Sequence, residues 1–406
     1  MNPYARPSMD PNQEPPRHPV QSLVPADAEL EAEAATAQAE RQLAADAVGG
    51  AMRQGLLRWT VAVGVGAFVA LLLQRIEAAL LFVVAALFAL AQSWDTRDRA
   101  RTGDPLADGA LEPGGLGRVL RVIVPLLVPI AGTVAFAGLG GFAATLPRTV
   151  EHLAAIQWCA AAAAVCLVNA FPPLNQVMAR TFMRSSDPGR VGHTARLTAS
   201  LALVVLLLPV PFQLMIGELM KAATASGQPL ADIGGLVGQL VGEIVFALAA
   251  VGLWVGRDAR AVAERLGLGR MTAGHWGVAA LGLLAIIGVN AGMEYLERTY
   301  FHALWLRDQD MVRLIAAELS IAATLVLGVS AGVGEEVLVR GALQPRMGLF
   351  WASVLFAAGH VQYTWFGILT IVLLGITLGL VRIRANTTTA IVVHVLYDIY
   401  AALGSK

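Results

Sequence analysis

The chain has 406 residues, no net charge, and 14% charged residues against 56% hydrophobic ones, whereas an average soluble domain carries about 25% charged residues. That balance excludes an ordinary soluble domain and gives no electrostatic basis for binding nucleic acid. Its two cysteines, Cys159 and Cys166, lie in one apolar segment, which excludes a disulfide scaffold and a cysteine-built metal site.

Residues 1–53 form a tail unlike the rest. The proline-rich first 25 or so read as disordered. The Ala/Glu-rich stretch from Asp27 to about Arg53 reads as a solvated or surface-lying helix without chemistry of its own. Apolar windows long enough to cross about 30 Å of hydrocarbon then occur near 56–74, 78–94, 121–146, 152–171, 196–217, 230–256, 275–295, 314–338, 348–365, 366–381 and 388–404. The expected fold is all-α, a polytopic transmembrane helical bundle of about 11 spans behind a disordered, partly helical cytoplasmic tail. Only four residues, Gln74 to Glu77, separate the first two windows, so that pair fits two spans or a re-entrant hairpin. The loops after the second, fourth, sixth, eighth and tenth windows hold 17 arginines against seven basic residues on the other side. This places the amino terminus in the cytoplasm and the carboxy terminus outside. No internal repeat signals an inverted-repeat transporter.

Ionisable groups inside apolar windows are candidates for function, because one at mid-helix costs about 2.5–3.5 kcal/mol even on mild insertion scales. They concentrate late in the chain: Glu335, Glu336 and Arg340 in the eighth window, His360 in the ninth, His394 and Asp398 in the eleventh. Glu243, Asn169 and Asn290 stand apart and read as interhelical hydrogen-bonding groups. Helical spacing pairs Glu336 with Arg340 and turns Glu335 away by about 100°. His394 and Asp398 share a face, where the carboxyl can orient the imidazole and fix its tautomer. Phe356, one turn before His360, sets an aromatic wall beside that ring. Glu335, His360 and His394 each fall roughly 15–20 Å from the cytoplasmic ends of their helices, so they are expected to converge in one cavity open to the cytoplasm.

With these residues the sequence resembles the CPBP family of intramembrane proteases, which includes the type II CAAX prenyl endopeptidases and Abi-like proteins. The resemblance rests on EExxxR as "EEVLVR" (Glu335 to Arg340), FxxxH as "FAAGH" (Phe356 to His360) and HxxxN/D as "HVLYD" (His394 to Asp398), all within about 311–404. It divides the chain into the tail (1–53), membrane helices of unassigned role (54–300) and a catalytic membrane core (311–404). It implies an endopeptidase of the bacterial inner membrane, whose partners are the lipid bilayer and a membrane-associated or lipidated peptide or protein. In that scheme Glu335 activates water, His360 assists, and His394 with the residue at 398 stabilises the oxyanion, while Glu336, Arg340 and Phe356 support the site. Many relatives carry Asn where this chain has Asp398, which is therefore read as orienting His394. Glu335, His360 and His394 also compose a His₂Glu zinc site, so the water is activated either by the carboxylate or by one zinc ion. Two other classes use the same residue types: a transporter or proton-coupled carrier with a proton relay, and a catalytically silent, immunity-type membrane protein.

Overall fold

The computed structural model describes residues 26–103, 115–184, 191–225, 232–316 and 320–404. The tail read as disordered lies outside them. The helices of the first half are α1 (Ala26–Leu72), α2 (Ile76–Gly103), α3 (Gly115–Thr145), α4 (Val150–Asn169), α5 (Pro172–Phe182), α6 (His193–Leu207) and α7 (Pro209–Ala225). Then follow α8 (Ile233–Val251), α9 (Ala259–Leu266), α10 (Ala273–Tyr300), α11 (His302–Ala316), α12 (Ile321–Glu335), a π-helical segment (Glu336–Leu343), α13 (Gln344–Ala358), α14 (Trp365–Arg384) and α15 (Thr387–Gly404). The fold is all-helical and polytopic, as the composition requires.

Among the described residues nine helical runs are long and apolar enough to cross a membrane, and the bent pair α6–α7 makes a tenth. Pro209, which cannot continue the hydrogen-bond ladder of α6, starts α7 at a bend of 47°. The expected count of eleven is corrected at one place. The eighth and ninth windows are fused into one 38-residue run, Ile321–Ala358, which breaks at Gly348, whose φ of 82° lies in the left-handed region that favours glycine. The first two windows are helices of 24 and 23 residues, Gly49–Leu72 and Ile76–Asp98, each long enough to span. The polar stretch and the first span form one 47-residue helix.

Small residues decide which helices meet around the predicted site residues. A β-carbon on Gly332 would lie 2.7 Å from the backbone nitrogen of Val395, and one on Gly328 3.3 Å from the Val395 carbonyl. These glycines on one face of α12 therefore bring its backbone against that of α15. On α14, Gly375 makes room for Ser353 and Phe356 of α13, and Gly282 of α10 for Val381 and Val393. At the other end of α15, the Thr387 hydroxyl donates to the Leu266 carbonyl (2.6 Å) and the Asn386 side chain accepts from the Thr389 amide (2.8 Å). One buried apolar cluster runs from Trp59 and Phe88 through Phe246 to Val337 and Ala342. Helices α8 and α9 thus pack directly on the π segment. Asn169 takes the interhelical role expected of it, donating to Ser200 (3.1 Å).

Candidate active site

The site begins where α12 gives way to the π segment immediately after Glu335. A π turn, bonded i to i+5, is rare and often found at functional sites; here it is braced by Arg265, which donates to the Gly341 carbonyl (3.1 Å). Within it Arg340 Nε donates to Glu336 Oε2 at 3.3 Å, and both side chains are wholly buried. The spacing-based pairing therefore holds in the wider turn. The guanidinium also lies 5.1 Å from the centroid of the Phe356 ring, a favourable position over an aromatic face.

Glu336 does more than neutralise the arginine. Its other oxygen, Oε1, sits 3.1 Å from His394 Nδ1, and the opposite ring nitrogen, Nε2, faces Asp398 at 3.5 Å and Glu335 at 3.9 Å. The imidazole thus meets a carboxylate at either nitrogen, and its protonated form donates in both directions. Glu336, rather than Asp398, holds Nδ1; Asp398 and Glu335 flank the reactive end. Glu335 and His394 therefore come together as expected from their depth. His360 joins through aromatic contacts: its ring lies 4.9 Å from that of Phe356, which in turn lies 6.0 Å from that of His394. The Phe356 carbonyl lies 3.0 Å from His360 Nδ1 and accepts a hydrogen bond from it.

Three contributors escaped the sequence. Tyr363 stacks on His360 with ring centroids 6.5 Å apart; burial, together with the charges of Asp308, Asp398 and Glu335, pushes its phenol up to about 12, so it remains a proton donor. Glu243 of α8, read as an isolated hydrogen-bonding group, rests against Gly334, the residue before Glu335. A third set holds the segment 359–364 that carries His360 and Tyr363. Asp308 accepts from the Thr364 amide and hydroxyl, both at 2.7 Å, Glu297 accepts from the same hydroxyl (3.3 Å), and Gln213 donates to the Val361 and Tyr363 carbonyls. An acid within apolar α8 is visible in sequence, but only the close approach allowed by Gly334 reveals its neighbour.

The clamp carries a pH dependence. Burial raises Asp308 above the ordinary carboxylate range, although Thr364, Glu297 and Arg307 act the other way. A carboxyl raised in the folded state contributes stability below its unfolded value, about 3.9, and that contribution is lost as pH rises through the folded value. Asp308→Asn is therefore expected to flatten the fall in melting temperature between acidic and neutral pH, followed by tryptophan fluorescence in detergent.

Among the described residues no three His, Cys, Asp or Glu side chains converge as a metal site.

The chain is thus an all-helical, polytopic membrane protein with a buried acid and imidazole centre. Residues 317–400 match the family model described as type II CAAX prenyl endopeptidase Rce1-like. The chain is also 31% identical over 139 residues, 34% of its own length and 70% of the relative's, to the uncharacterized protein YpbD of Bacillus subtilis (strain 168). The chain belongs to the CPBP family. It is accordingly an integral membrane protein of a membrane endopeptidase family. No solved structure matches it.

Proposed function

We propose that this protein is an intramembrane endopeptidase that hydrolyses a peptide bond in a membrane-associated, lipidated peptide or protein, using a water activated by Glu335. The observation that carries this reading is the approach of Glu335 to His394 Nε2 at 3.9 Å, with the opposite nitrogen held by the Glu336–Arg340 pair. Glu335 takes a proton from the water as its oxygen attacks the carbonyl carbon. His394, protonated and flanked by Glu336 and Asp398, donates to the developing oxyanion, and Glu335 returns the proton to the departing amine. Proton transfer of this kind contributes about 10²–10⁴-fold, and a preorganised donor in a site shielded from water stabilises the oxyanion further. His360 orients the water, and the Tyr363 phenol adds a second donor. The distribution of arginines supports a cytoplasmic amino terminus, a site entered from the cytoplasm and residence in a bacterial inner membrane.

The test is hydrolysis of a quenched fluorescent farnesylated CAAX peptide by purified protein in liposomes, with peptide termini compared in membranes of cells carrying wild-type or His394→Ala protein. Cleavage in the liposomes, and termini present only with wild type, are expected. Absence of both, together with a proton current across the liposomes, would replace this reading by a carrier. Stripping with a chelator is expected to leave the cleavage rate unchanged. A loss restored by zinc would make Glu335, His360 and His394 the metal's ligands instead.

A further inference from the structure

Glu243 lies midway along α8, far outside the family-matched residues 317–400, and no step above uses it. Its side chain belongs to a residue only 9% exposed. One turn earlier on the same helix, Gln239 donates to its Oε1 at 2.9 Å. The other oxygen, Oε2, is buried with no hydrogen-bond partner. That oxygen is aimed at the active centre: a β-carbon at Gly334 would overlap it, so the carboxyl rests against bare backbone one residue before Glu335. The charged groups acting on it from neighbouring elements are Glu335 of α12 and His394 of α15, while α2 presents the apolar Leu81 beside Gly242.

Two ionised carboxylates side by side, one of them with an unpartnered oxygen, are a costly arrangement out of water. A carboxylic acid beside a carboxylate removes the repulsion and supplies a short O–H···O⁻ bond, among the stronger hydrogen bonds available in a protein. We infer that Glu243, in its neutral form, donates from Oε2 to the Glu335 carboxylate and positions that base against His394, which makes α8 a structural member of the active centre. Glu243 touches no substrate in this scheme; it is a positioning residue. The inference rests on Glu335 being the base.

Glu243→Gln retains a donor of nearly the same shape, and Glu243→Met retains volume without one. In liposomes with the quenched farnesylated CAAX peptide, Glu243→Met is expected to lower kcat about 30-fold at unchanged KM, the loss of a hydrogen bond to a charged group. Glu243→Gln should recover most of that loss, to within about fivefold of wild type. A Gln variant as inactive as Glu335→Gln, or a Met variant as active as wild type, overturns the proposal. Activity retained by Glu335→Gln sinks the assignment of the base instead, a distinguishable result. A readout independent of any peptide is the infrared absorption of protonated carboxyl groups in lipid-reconstituted protein near neutral pH. A component lost in Glu243→Gln is expected; an unchanged band overturns the neutral form.

Discussion

Glu335→Gln is expected to reduce hydrolysis about 10³-fold, the range general-base transfer supplies, while leaving the amount of folded protein in the membrane unchanged. The substitution keeps the shape of the side chain and deletes its ability to take a proton. Glu335 is partly exposed, at 17% of its side chain, and the pairing that supports the fold belongs to its neighbour Glu336. KM is therefore expected to hold while kcat falls, the pattern of an interaction made only in the transition state. Single-turnover cleavage in liposomes measures this directly. Wild-type kcat in the variant would move the base elsewhere.

The second large effect falls on stability. In Arg340→Leu the wholly buried Glu336 loses its cation, and breaking a buried ion pair in this way costs about 3–5 kcal/mol. The variant is expected to accumulate poorly or melt at much lower temperature, as thermal unfolding in detergent reports. Arg340 also leaves the face of Phe356, loosening the ring that separates His360 from His394. The double change Arg340→Leu with Glu336→Gln removes both charges and is expected to recover much of the stability. It is not expected to recover activity, because the amide at 336 no longer provides the negative charge that holds protonated His394. A double variant as unstable as the single one would mean that Arg340 acts through packing rather than charge.

How far the sequence speaks differs between fold and site. The span count was legible because hydrocarbon thickness fixes the length of an apolar helix and arginines alternate with side. It erred where the eighth and ninth windows lie in one helical run kinked at Gly348, since the polar Gln344 and Arg346 part the windows in hydropathy without ending the helix. The Glu336–Arg340 pair was legible because it is local. The second partner of Glu336, His394, lies 58 residues away and depends on how α12 meets α15, so sequence spacing supplied only Asp398 as the orienting group. Glu243 and the Asp308–Glu297–Thr364 clamp were hidden for the same reason. Each is an ordinary polar residue until tertiary packing gives it a neighbour.

The seam of Gly328 and Gly332 against α15 has a consequence for how this enzyme meets its lipid surroundings. Because backbone touches backbone there, the separation of the acid on α12 from the imidazole on α15 is set by main chain rather than by side chains that can repack. Bilayers of different thickness tilt transmembrane helices, but two helices seated this closely on each other tilt as one body. Glu335 and His394 therefore keep their spacing when the lipid changes. His360 and Tyr363 ride on a connecting segment tethered to α7, α10 and α11, and that is where a thicker or thinner membrane makes itself felt.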